Sequence, residues 1–195
     1  MISQNFSHSK RVFWIFCLLS ACFWLAPFCI RIFLVDFENS VPLPETTEPQ
    51  GNNILFQIKQ YLDAGKKFDA FGLIFWNNLQ VCVLNMVGGA MLGIITMISL
   101  LQNGFFTADV MSNVYYSNIS VNEIVQHTLP HSIELIGIWI SGAIGFSFAK
   151  TMIDFMRGKS LPSKQFMKFI GYHFLIMLLI ILTAAYIEVY ISASI

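Results

Sequence analysis

A histidine and a glutamate three residues apart, His131 and Glu134, open the apolar stretch LPHSIELIGIWISGAIGFSFAK at 129–150. Residues three apart share a helix face, so imidazole and carboxylate can meet there. After Glu134 no charge appears until Lys150, leaving 15 uncharged residues in a row. A carboxylate at the mouth of such a segment has to be solvated, paired or protonated. Asn77 and Asn78, ahead of an earlier apolar run, and Glu188, near the end of the last one, have the same character. Together the five residues form a candidate polar cluster, suited to holding a partner or to carrying protons. Each also has a structural reading. The asparagines cap a helix, with Asn77 and Gln80 at capping-box spacing. Glu134 is stabilised near a helix start by about 0.3–1 kcal/mol, and Glu188 is solvated at the interface.

Catalysis is not legible in these residues. HSIE lacks the second histidine of an HExxH zinc motif. No nucleophile–base pair and no phosphate loop can be read. No enzyme, metal site or cofactor is therefore expected.

The elements that must position the cluster are membrane spans. Apolar residues make up 56% of the 195, charged residues 11%, and the mean hydropathy is +0.66. Soluble domains carry about 25% charged residues. Net charge is zero, which gives nucleic acid no attraction. Cys17, Cys22, Cys29 and Cys82 lie inside apolar runs and read as small apolar residues. A first span is expected over 12–35, with Pro27 inside it and Arg31 near its far end. An acidic, proline-containing loop follows over 36–53. Ile54, Leu55, Ile58, Tyr61 and Leu62 then recur at helical spacing, predicting an amphipathic helix along the membrane surface over 54–63. The aromatic run 68–76 reads as interfacial.

A second span is expected over 79–101. Its Gly88, Gly89, Ala90 and Gly93 form a small-residue patch, with GxxxG between Gly89 and Gly93, that invites a close helix neighbour. Asn85 inside it reads as helix–helix glue. Gln102-Asn103-Gly104 reads as a tight turn. Later spans are expected over 129–151 and 169–191. His173, one turn into the last, is expected to bond to a neighbouring helix.

Charge sets the topology. Lys150, Arg157, Lys159, Lys164 and Lys168 lie between the last two spans, opposed by Asp154, and Lys10 and Arg11 precede the first. The positive-inside rule puts both groups in the cytoplasm. Four crossings cannot do this, so a fifth is placed over 104–118, short enough to be broken or buried. The expectation is one all-α integral membrane domain over 1–195 with about five transmembrane helices, one short or broken, plus an amphipathic surface helix. Within it, 1–35 is the N-terminal span, 36–76 an extracytoplasmic loop with the surface helix, and 77–195 a helical core. The N-terminus is cytoplasmic, and the polar cluster gathers in the outer half.

Three segments carry a resemblance: FWNNLQVCVLNMVGGAMLGIITMISLLQNGFF, LPHSIELIGIWISGAIG and LTAAYIEVYIS. In order and distance they resemble the stage II sporulation protein M family of bacterial integral membrane proteins. The family pattern falls on Asn78, Asn103 with Gly104, His131, Glu134 and Glu188. Two departures stand out: Ser132 follows the histidine where glycine is common, and Asp109 and Asn113 interrupt an otherwise glycine-rich, apolar third segment. The resemblance implies a bacterial cytoplasmic membrane and a non-enzymatic subunit that positions partners in an envelope-remodelling or export complex. Other membrane proteins, a cytoplasmic ATPase docking on the 150–168 loop, or further copies of the chain are the expected partners. The alternative is a permease, either the membrane half of an ABC-type exporter or a small proton-coupled carrier using His131, Glu134 and Glu188.

Overall fold

A computed structural model describes residues 2–34, 54–116, 121–159 and 163–192. The acidic loop expected over 36–53 and the interruption expected near Asn118 lie outside them. Six α-helices follow in order: α1 Ile2–Leu34, α2 Ile54–Asp63, α3 Lys67–Val87, α4 Ile94–Tyr116, α5 Val121–Met156 and α6 Lys164–Tyr190. A 3-10 turn, Gly88–Met91, joins α3 to α4. Four stretches are long and apolar enough to cross a membrane: Lys10–Phe33, Lys67–Met91, Pro130–Met156 and Lys164–Tyr190. The chain is an all-α membrane protein. At 23 residues α4 also has the length to span, about 34 Å.

The second and third spans are cut elsewhere than the sequence reading put them. The aromatic run 68–76 is not a separate interfacial element but the first half of α3. Gln102-Asn103-Gly104 is no turn; it lies inside α4, which is continuous and of full length. The reversal occurs instead at the glycine patch. Leu92 adopts a left-handed conformation (φ 56°) and Gly93 follows at φ 82°. The Gly93 N–H bonds back to the Gly88 carbonyl at 3.2 Å. Two successive positive φ values end a helix, and glycine accepts the second without strain.

Helix directions follow from which residues meet. Trp24 bonds to Asn103 and Arg31 to Asp109, so α1 and α4 run parallel. Ser20 lies at Gly142 while Trp24 packs on Trp139, so α5 runs against α1. Asn85 meets Ser141 and Gly89 meets Phe148, so α3 runs with α5. Gly137 packs on Ile181, and Glu188 comes within electrostatic reach of His131, so α6 runs against α5. The five long helices therefore alternate, as five crossings require. One end of the bundle carries Lys10, whose ammonium stands 5.9 Å from the Phe169 ring, together with Lys150, Lys159 and the lysines of early α6. The other end carries His131, Glu134 and Glu188.

The amphipathic helix falls where periodicity placed it. Ile58, Tyr61 and Leu62 of α2 pack on Ala70 and Ile74 of α3 and on Ala185 and Val189 of α6, so α2 lies against the acidic end of the bundle. Gly65, at φ 70°, stops it: Lys66 N–H reaches the Tyr61 carbonyl and Gly65 N–H that of Leu62, a Schellman ending.

Candidate functional site

The centre of the bundle is a knot of small residues and one amide. Asn85, fully buried, donates from Nδ2 to Ser141 Oγ at 2.9 Å. Its carbonyl accepts from Thr96 Oγ1 at 2.7 Å, tying α4 to α3 just past the turn. A Cβ on Gly145 would overlap that same carbonyl, and one on Gly89 would overlap the Gly145 carbonyl. A Cβ on Gly142 would stand 2.6 Å from Ser20 Oγ. Asn85 is thus the interhelical glue expected of it, and the face bearing Ser141, Gly142 and Gly145 meets helices on both sides. Gly89 and Gly93 serve packing at a turn rather than along a continuous helix. His173 differs from expectation: its Nδ1 lies 2.9 Å from the Phe169 carbonyl of its own helix, among Phe13, Trp14 and Phe169.

Toward the acidic end the packing opens. A cavity of about 380 Å3 lies between α1, α4 and α5, lined by Trp24, Phe28, Asn103, Thr107, His131 and Glu134 among others. His131 Nδ1 and Glu134 Oε2 stand 3.5 Å apart, the outer limit of a hydrogen bond. The imidazole side chain is 49% exposed and the carboxylate 14%. Glu188 reaches both electrostatically from α6. Three of the five expected cluster residues are therefore brought together by two helices.

The asparagines are not. Both lie mid-helix in α3, which starts at Lys67, so neither caps it; Lys66 holds the cap position and makes no side-chain cap bond. Asn77 Nδ2 approaches Asn78 Oδ1 at 3.5 Å, and among the described residues neither amide bonds to His131, Glu134 or Glu188. The helix-start account of Glu134 also fails. Since α5 begins at Val121, His131 and Glu134 lie three turns in, just after Pro130, where the end dipole has faded.

Sequence reasoning missed what α1 and α4 contribute. Trp24 Nε1 donates to Asn103 Oδ1 at 2.8 Å, and Trp24 stacks on Phe28 with centroids 5.0 Å apart. Arg31 and Asp109 form an ion pair at 2.5 Å, with Arg31 also 5.2 Å from the Phe105 ring. Gly104 is the contact that permits this, because a Cβ there would overlap the Trp24 carbonyl. The signal was present: Arg31 and Asp109 are lone opposite charges in two apolar runs, one near the end of each. Asp109 thus tightens the third long helix instead of disturbing it. Among the described residues no three His, Cys, Asp or Glu side chains converge as metal ligands.

Comparison with known proteins bears on this geometry. The family model described as stage II sporulation protein M matches residues 12–193. The chain belongs to that family. The match takes in α1, which lies outside the three segments that carry the resemblance. An uncharacterized protein of Methanocaldococcus jannaschii is 31% identical over 129 residues, covering 64% of this chain and 72% of its own length. No solved structure matches the chain. In this member of the stage II sporulation protein M family, Asn103 and Gly104 join α4 to α1. His131 and Glu134 edge the cavity, with Glu188 within electrostatic reach of both.

Proposed function

We propose that the chain is a non-enzymatic multi-pass membrane subunit that binds and positions a partner protein through its acidic end. The supporting observation is the contrast between a cavity of about 380 Å3 and the polar groups on it. Glu134 is largely buried, yet its imidazole partner stands at 3.5 Å, leaving acceptor capacity for a donor from another chain. Trp24 and Phe28 supply a flat apolar wall, the usual anchor surface for a partner side chain. The setting is a cell membrane, with the N-terminus and the basic end cytoplasmic, in an envelope-remodelling or export complex.

Purification of the chain at native expression in mild detergent tests this reading. A stable partner should accompany the wild type, and Glu134→Gln with Glu188→Gln should lower its recovery about tenfold, as loss of charge-assisted bonds does. Recovery of the chain alone, or an unchanged partner in the double variant, would reject it.

A further inference from the structure

At the basic end a second opening, of about 740 Å3, runs between the last turns of α3, the second half of α5 and the first half of α6. Its walls are apolar, with Ile144, Phe148 and Phe155 on α5 facing Met167 and Phe174 on α6. Gly171 forms part of its floor, and a Cβ there would meet nothing within 4 Å. From Ile144 to Phe155 α5 rises about 16 Å. That is about half of a 30 Å hydrocarbon core, the depth of one leaflet. The groove ends there because Gly137 lets α5 close onto Ile181, where a Cβ would stand 2.9 Å from Cγ1.

Charge continues the groove beyond its apolar wall. Lys164, Met167, Lys168, Gly171 and Phe174 recur at helical spacing, so two lysines share the face of α6 that lines it. Both are exposed, and Arg157 lies two residues past Phe155 at the same end. Lys150 and Lys159 are each held by Asp154. Lys164, Lys168 and Arg157 have no acidic partner among the described residues.

We infer that this groove binds an anionic glycerophospholipid, one acyl chain lying along the apolar wall and the phosphate resting on Lys164 and Lys168. A partner helix would continue through the other half of the membrane, where α5 and α6 leave no groove. A lipid of one leaflet ends where the groove does. Unpaired cations at the mouth select an anionic headgroup, and basic sites between spanning helices are suited to such lipids.

Native mass spectrometry of the purified chain with added dioleoyl phosphatidylglycerol or dioleoyl phosphatidylcholine tests the inference. The wild type should retain phosphatidylglycerol in preference. Lys164→Gln with Lys168→Gln should cut that retention about 30-fold, at roughly fivefold per cation. Gly171→Leu should displace both lipids by filling the floor, and it suits the helix better than glycine does. Met167→Trp fills the groove by a second route, and elution volume and helical circular dichroism check that every variant is folded. Equal retention of the two lipids by the wild type overturns the inference, as does phosphatidylglycerol binding that survives both the lysine and the groove-filling variants. A wild-type dimer that Gly171→Leu splits without changing lipid retention assigns the groove to a second copy instead.

Discussion

The middle of the bundle and its acidic end use polar residues in opposite ways. In the middle, Asn85, Ser141 and Thr96 are buried and bonded across helices at 2.7–2.9 Å, with Gly145 and Gly89 pressed against carbonyls. At the acidic end, His131 and Glu134 share a helix face with a 3.5 Å gap and border a cavity. Small residues let backbones touch, and touching backbones leave a buried amide little choice of partner. Between α1 and α5, where Trp24 packs on Trp139 by side chains instead, His131 and Glu134 of α5 border a cavity and remain available. Polarity inside a membrane protein therefore does not mark function by itself; the closeness of the surrounding backbones decides.

Gly145→Leu is the sharpest way to break the contrast. Its side chain would enter the Asn85 carbonyl, and a loss of about 3 kcal/mol or more is expected, seen as failure to recover folded protein. Gly72→Leu, with open space around its Cβ, should fold normally in the same assay. Asn85→Ala comes next, at about 1–2 kcal/mol in thermal denaturation in detergent, since it removes the buried bond from α3 to Ser141 while Ser141 keeps its own bond to the Ile138 carbonyl. Asp109→Asn should cost about 1 kcal/mol, because both partners of its ion pair are about one-third exposed. The exchange Arg31→Asp with Asp109→Arg should recover most of that loss. Glu134→Gln should be smallest, below about 0.5 kcal/mol in stability, while still lowering partner recovery. A Glu134→Gln variant as unstable as Asn85→Ala would make the acidic end a structural core like the middle.

The turn gives a further test by cysteine labelling. Cysteines at Ala90 and Met91, both exposed, should react from the side of the basic end, whereas one at Asn103 should be shielded by Trp24. Equal labelling at 91 and 103 would restore a reversal at Asn103-Gly104.

Much of the cluster was legible because charge in an apolar segment is rare. His131, Glu134 and Glu188 stood out by type alone, and alternation of five helices put them at one end of the bundle. Asn77 and Asn78 were misjudged for a local reason. An Asn-Asn pair before an apolar run has cap chemistry, but the preceding aromatic run was apolar enough to extend the helix back to Lys67. Trp24 and Asn103 could not be paired from sequence, because 79 positions separate them and each has an ordinary local reading.

Composition and charge placement alone determined that the chain lies in a membrane, and they predicted the five long helices seen among the described residues and the shared side of the basic ends. The surface helix followed from periodicity within ten residues. Only tertiary structure decided where the long apolar tract from 67 to 116 folds back on itself. Glycine both turns a chain and admits a neighbour, so Gly88, Gly89, Gly93 and Gly104 offered several equivalent cuts. The choice went to the cut at which Thr96 reaches the Asn85 carbonyl and Gly104 lies against α1, contacts that exist only once distant segments have met.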